Sequence, residues 1–298
     1  MRTELLGPLV RRPYQQNPKE RSSMPFPSLG DALTVAQRAM DLAVHHALSH
    51  RPTHITTKGD RDVVTNIDVA VENLIRDRLS DWDPAVGFVG EENGASGDEN
   101  TYWVLDPIDS TINFSHGSPL CAIALGLVHE DQPVPGITAV PFLGHRYWAL
   151  TGEGAYRDGD PISVSTTARL RNALIGMCDY GSGPDASTRD RLCGDLDQRL
   201  TGQAQGVRRL GTTALELVWV ADGTLDASIL FGNRAWDTAS GAIIAREAGA
   251  LVLDADGSPH STRSRCTLAT TPALAEALVP MMEVARNTTY WPQPAGTQ

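Results

Sequence analysis

An apolar run ends abruptly in acid at Trp103-Val104-Leu105-Asp106-Pro107-Ile108-Asp109, and Ser110-Thr111-Ile112-Asn113-Phe114 follows at once. The run reads as a buried strand, which needs neighbours beside it and cover on its faces. A chain built on such a strand is layered, and its two acids emerge where the strand stops. Two carboxylates separated by a rigid proline suit a hard cation bound through oxygen. The residues after Asp109 can open a helix, whose free N–H groups favour an anion. One short segment therefore offers a metal site beside a phosphate cradle.

The pattern on either side predicts the elements. Ser28 and Asp31 can cap a helix whose apolar stripe is Leu33, Ala36, Met40, Ala43, Val44 and Ala47. A second helix is predicted over about 68–79, then a short strand over 86–89 that stops at Gly90-Glu91-Glu92. Strands are predicted at 102–105, 121–129, 136–141 and 146–151, with a tight turn at Asp158-Gly159. The chain then alternates, with strands at 173–177, 206–210, 225–231 and 251–253 and helices at 188–200, 212–221, 236–248 and 272–285. Such alternation packs helices on sheet faces. The expected organisation is an α+β half over 28–160 and an α/β half over 161–286. A mobile tail is expected at 1–27 and a frayed end at 287–298.

Composition narrows the partners. The formal net charge of -11 argues against broad binding to nucleic-acid phosphates. It leaves a phosphorylated small molecule open, because bound divalent cations reverse the local field. No apolar run is long enough to span a membrane. The four cysteines, Cys121, Cys178, Cys193 and Cys266, are scattered without a CxxC pair. That predicts reduced, structural thiols and a cytoplasmic setting.

Glu91, Asp106, Asp109 and Asp237 share one context, an apolar segment or turn followed by an exposed carboxylate, and Asp68 is a fifth candidate. Singly, each reads as a cap or a solvated acid. Asp109 can cap the helix after it, and Asp237 can complement a helix dipole. Lys58 reads either as a surface lysine or as a charge that guides phosphate. Glu92 reads as a supporting or surface acid, and Trp236 as a packing anchor. The histidines, including His45, His46 and His116, show no ligand spacing with these acids.

Together the acids resemble the inositol monophosphatase family, in the superfamily of magnesium-dependent, lithium-sensitive phosphatases. The resemblance is carried by Gly90-Glu91-Glu92, by Asp106-Pro107-Ile108-Asp109-Ser110-Thr111 and by Trp236-Asp237-Thr238-Ala239-Ser240-Gly241. Lys58, the segment from Asp62 to Asp68, and Gly211-Thr212-Thr213 fit in order and spacing. The pattern looks most similar to actinobacterial-type inositol-1-monophosphatases. What the resemblance implies is an α+β fold, a layered αβαβα sandwich like that of inositol monophosphatase and fructose bisphosphatase, working as a homodimer. It also implies two to three Mg²⁺ ions. Glu91, Asp106 and the Ile108 carbonyl would hold one, Asp106, Asp109 and Asp237 a second, and Glu91 with Asp68 a third. Thr111 and Glu91 would orient and deprotonate the attacking water, with Asp68 and Lys58 in support. Asp109, the N–H groups of Ser110 and Thr111, Gly211, Thr212, Thr213, Arg234 and Asp237 would meet the substrate.

Two positions depart from the family pattern. Ser110 stands where glycine is usual. A positive φ there would cost serine about 1 kcal/mol or more. Leu230 stands where many members have a glutamate that contacts inositol hydroxyls, and leucine accepts no hydrogen bond. The expected activity is Mg²⁺-dependent hydrolysis of inositol 1-phosphate. The alternatives are a histidinol-phosphate phosphatase or another small alcohol phosphate phosphatase on the same scaffold, and a binding protein that kept the scaffold without the chemistry.

Overall fold

The structure is a computed structural model that describes residues 28–289. The tail expected at 1–27 lies outside these residues, as do residues 290–298 of the expected frayed end, whereas 287–289 continue the closing helix. Ser28 accepts a hydrogen bond from Asp31 N and so caps α1 (Leu29–Ser49), which buries Ala32, Leu33, Ala36, Ala39, Met40, Ala43 and Ala47 along one face. A short hairpin follows, β1 (Ile55–Gly59) against β2 (Asp62–Thr65). Thr65 then caps α2 (Asn66–Trp82) in a capping box with Asp68, which pins that acid at the helix start.

The first large sheet uses β3 (Gly87–Gly90), β4 (Gly94–Ser96), β5 (Thr101–Asp109), β6 (Ala122–His129), β7 (Gln132–Val140), β8 (His145–Leu150), β9 (Ala155–Arg157) and β10 (Asp160–Ile162). Their order is β10-β9-β8-β7-β6-β5-β3-β4, and only the β3–β5 pair is parallel. A five-residue helix, α3 (Thr111–Ser115), leaves the end of β5.

The second sheet holds β11 (Leu174–Met177), β12 (Gly206–Arg208), β13 (Ala227–Phe231), β14 (Leu251–Leu253) and β15 (Cys266–Thr270), in the order β12-β11-β13-β15-β14. The helices among them are α4 (Ala186–Leu200), α5 (Thr213–Ala221), α6 (Ala235–Glu247) and α7 (Pro272–Thr289). α1 and α2 pack on one face of the large sheet around Met40, Ile75, Trp103 and Leu125. α5 and α6 fill the space between the sheets through Leu217, Val218, Ile243 and Ile244. α4 and α7 cover the far face of the small sheet through Leu192, Leu196, Leu274 and Leu278. The layers therefore run helix, sheet, helix, sheet, helix, as the resemblance implied. α6 comes close to the large sheet because Gly136 has no side chain, since a Cβ there would stand 2.8 Å from Ser240 O.

Some expectations need correction. β15 and the β1–β2 hairpin carry no alternating apolar pattern long enough to announce them. Cys178 and Cys193 form a disulfide, so the expectation of four reduced thiols fails for this pair. The pairing arises because the end of β11 packs on α4, a contact that spacing along the chain does not reveal. Cys121 and Cys266 are free and buried. Among the described residues no helix is long and apolar enough to cross a membrane.

Candidate active site

The site begins with an irregularity in β5. Asp106 lies opposite Ala124 on β6 and Asp109 opposite Ala122, so Pro107 and Ile108 together face one residue. This β-bulge suits proline, which has no N–H to give a ladder. In a regular strand, residues three apart point to opposite faces. The extra residue returns Asp106 and Asp109 to the same side.

Each carboxylate is then fixed by its own donors. Asp106 Oδ1 accepts from Ile108 N at 3.1 Å. Asp109 Oδ2 accepts from Thr212 Oγ1 and from Ala214 N, both at 2.6 Å, which ties the end of β5 to the start of α5. Thr212 is therefore spent on Asp109. Asp237 opens α6, and its Oδ2 accepts from Arg234 N at 2.6 Å. Asp68 accepts from Thr111 Oγ1 at 2.8 Å and from Thr65 N at 3.0 Å, and Thr65 Oγ1 also donates to it. Lys58, on β1, donates to Glu91 Oε1 and Glu92 Oε1, both at 2.9 Å.

These acids repel one another. Burial pushes Asp106 well above the usual carboxylate range, and Glu91, Asp109, Asp237 and Asp68 push it further. Burial likewise raises Asp237 to about 8, with Asp109 and Glu91 adding to the shift. Asp109 reaches only about 6, because the bonds from Thr212 and Ala214 offset part of its burial. Burial raises Asp68 and Glu91 as well. Burial opposes the Lys58 ammonium, but Glu91 and Glu92 outweigh it and hold its pKa above the ordinary lysine value.

Five acids whose charged forms oppose one another, with the Ile108 carbonyl between two of them, make an all-oxygen donor set that fits a hard divalent cation. Among the described residues no three His, Cys, Asp or Glu side chains are already closed around one point. Asp109, Asp237 and Glu91 each give an oxygen to a donor of the chain itself.

Ser110 has φ 72° and ψ 63°, the left-handed conformation in which glycine carries no penalty. Gly211 also has a positive φ, 73°, and faces Ser110 across the cleft. A Cβ on Gly211 would stand 3.4 Å from Asp179 Oδ2, 3.5 Å from Asn113 Nδ2 and 3.7 Å from Ser110 Oγ. Asn113 joins the two walls by donating to Leu120 O at 2.7 Å and Leu210 O at 2.8 Å.

A cavity of about 190 Å³ opens beside Asp237, lined among others by Asp179, Arg189, Thr213, Glu216, Leu230 and Asn233. Exposed Tyr180 stands at its rim, with Arg61 and Arg209 stacked over the ring at 5.6 and 5.8 Å. Arg234 is exposed at the start of α6. A second cavity, of about 460 Å³, is lined by none of the acids of the site.

Sequence reading missed Glu72, Asp179, Arg189 and Glu216. Glu72 is fully buried on α2 and accepts from Glu92 N at 2.8 Å and Asn93 N at 2.9 Å, so it sets the turn that carries Glu91. A Cβ on Gly90 would collide with that carboxylate at 2.3 Å. The glycine before Glu91 was therefore the available signal. Glu216 accepts from Ser228 Oγ at 2.6 Å, and burial raises it to about 8.

The sequence model of the Inositol monophosphatase family matches residues 29–285. Inositol monophosphatase 1 of Solanum lycopersicum is 35% identical over 267 residues, covering 86% of this chain and 95% of that protein. Inositol-1-monophosphatase ImpA of Mycolicibacterium smegmatis is 34% identical over 258 residues, covering 86% and 92%. The solved structure of the Thermotoga maritima IMPase superposes with a TM-score of 0.80 at 27% identity, covering 87% of this chain and 99% of that one.

Proposed function

Because the chain belongs to the inositol monophosphatase family, we propose that it hydrolyses inositol monophosphate to inositol and inorganic phosphate with Mg²⁺. It is a phosphoric monoester hydrolase of a metal-dependent family. The observation that carries the reading is the crowding of Glu91, Asp106, Asp109 and Asp237, which raise one another's pKa, with Asp237 lining a small cavity.

Glu91, Asp106, the Ile108 carbonyl, Asp109 and Asp237 would hold two Mg²⁺ ions, and Asp68 with Glu91 would hold a third. Bound there, the metal offsets phosphate charge and makes the attacking water more acidic. The chain's own groups do the rest. A hydroxyl has one proton, and Thr111 gives its proton to Asp68 or to Ile108 O, leaving a lone pair to orient the water. Glu91 takes the water's proton, and Lys58 steadies Glu91. Thr212, together with Ala214 N, holds Asp109 in place. The N–H groups of Ser110 and Thr111 receive phosphate oxygens at the start of α3. Gly211 and Thr213 line the path of the alcohol, and Arg234 would meet it from the start of α6. A homodimer in the cytoplasm completes the reading.

The test is phosphate release from inositol 1-phosphate, histidinol phosphate, glycerol 2-phosphate and a 3′-phosphonucleotide, each with Mg²⁺ and with chelator. Release from inositol 1-phosphate that stops with chelator supports the assignment. A far larger kcat/KM for histidinol phosphate would overturn it. Light scattering reads the oligomeric state.

A further inference from the structure

The wall of the cavity beside Asp237 carries a guanidinium that hydrolysis, as derived above, does not use. Arg189 lies near the start of α4, where a cation opposes the helix dipole, so the helix gains nothing from its charge. Its Nη1 donates to Phe231 O at 3.3 Å and its Nη2 to Ser182 O at 3.1 Å, both neutral carbonyls. Its Nε is buried with no hydrogen-bond partner. The acids flanking it in sequence are engaged elsewhere, Asp185 with Arg265 at 3.6 Å and Asp190 with Arg61 at 3.1 Å.

Space for the guanidinium comes from two missing side chains. A Cβ on Gly181 would stand 2.7 Å from Arg189 Nε, and one on Gly232 would stand 2.0 Å from Nη1. Burial lowers the pKa of Arg189, while nearby Asp190 and Asp237 raise it. The charge is thus half-buried within the field of the acid that opens α6. It lines the cavity beside Leu230, which offers a hydroxyl nothing.

We infer that Arg189 anchors an anionic substituent on the leaving alcohol, so that the preferred substrates carry a carboxylate or a second phosphate beside the ester that is cut. The inference rests on the phosphatase reading of the same cleft. A guanidinium matches either oxyanion with paired donors, and a half-buried cation without a carboxylate partner gains most from a ligand that supplies one. A neutral polyol leaves that charge as it finds it.

Two matched pairs test this on the full chain: glycerol 2-phosphate against 2-phosphoglycerate, and inositol 1-phosphate against inositol 1,4-bisphosphate. The expected result is a preference in kcat/KM of about 10- to 100-fold for the anionic member of at least one pair. The pair that shows it identifies carboxylate or phosphate. Arg189→Gln should erase the preference with little change on the neutral member, and Arg189→Lys should keep part of it. No preference in either pair overturns the inference. So does an equal loss on both members in Arg189→Gln, which would make the side chain a clip between residues 182 and 231. If the variants fail to fold on a thermal melt, the wild-type pairs decide alone. If no substrate is hydrolysed, the phosphatase reading fails instead. Calorimetric binding of 2-phosphoglycerate against glycerol 2-phosphate then still decides the role of Arg189, because equal affinity overturns it.

Discussion

Asp106, Asp109, Ser110 and Thr111 come from one strand end and the turn after it, whereas the opposite wall draws Asp179, Arg189, Leu230 and Gly232 from separate stretches around the second sheet. The first wall is fixed by its own backbone, through a bulge and a left-handed serine. The second is assembled from the end of a strand, loop residues and the first turn of a helix. The lesson is a division of labour. Chemistry sits where local backbone dictates geometry. Choice of alcohol sits where side chains can change without disturbing that geometry.

The strongest way to break this division is Asp109→Asn, which keeps the shape and removes a charge. Phosphate release should fall on the order of a thousandfold for every substrate alike. A loss confined to one alcohol would place specificity on the wrong wall. Next is Glu72→Leu, which strands the N–H groups of Glu92 and Asn93 and the buried side of Arg76. Urea titration should show a loss of about 2–5 kcal/mol. An unchanged midpoint would mean that the Glu91 turn holds itself.

Glu216 sharpens the comparison from the second wall. Its folded pKa, about 8, lies above the ordinary 4.5, so folding favours the protonated form. Its contribution is fully present below about pH 4.5 and is lost as pH rises toward about 8. Glu216→Gln should flatten that part of the stability profile, as read by melting temperature from pH 4 to 9. A parallel profile would refute the assignment. The smallest effect is Ser110→Gly. Relief of the positive φ should stabilise the fold by up to about 1 kcal/mol, a rise in Tm of roughly 2 °C, with activity retained. A fall in Tm would show that the Ser110 hydroxyl makes a contact worth more than the strain.

The sequence carried the first wall almost whole. Glu91, Asp106, Asp109, Thr111 and Asp237 sit in three short motifs, and the family resemblance that those motifs carry implied the five layers. Asp68 and Lys58 were legible only as company for those motifs. The second wall was not legible. Arg189 reads as one more exposed helix charge until Gly181 and Gly232 are seen to make room for it. Glu216 sits in an apolar helix without any local sign that Ser228 and Leu210 N will meet it. Glu72 and the pairing of Cys178 with Cys193 were hidden for the same reason, since each depends on what another element brings alongside.

The bulge at Pro107 and Ile108 has a further consequence. Without its extra residue the two aspartates would stand two apart, and a regular strand would still point both the same way. What the extra residue adds is a second main-chain carbonyl between them, and the one next to Asp109, Ile108 O, is met by Thr111 Oγ1 at 3.2 Å. No substitution of a side chain removes that oxygen. A mutational scan that replaces residues one at a time passes over it, because every replacement keeps the carbonyl, and only a change in the number of residues between the aspartates moves it. Part of this site is written in a count of residues, and it stays invisible to any method that compares only their identities.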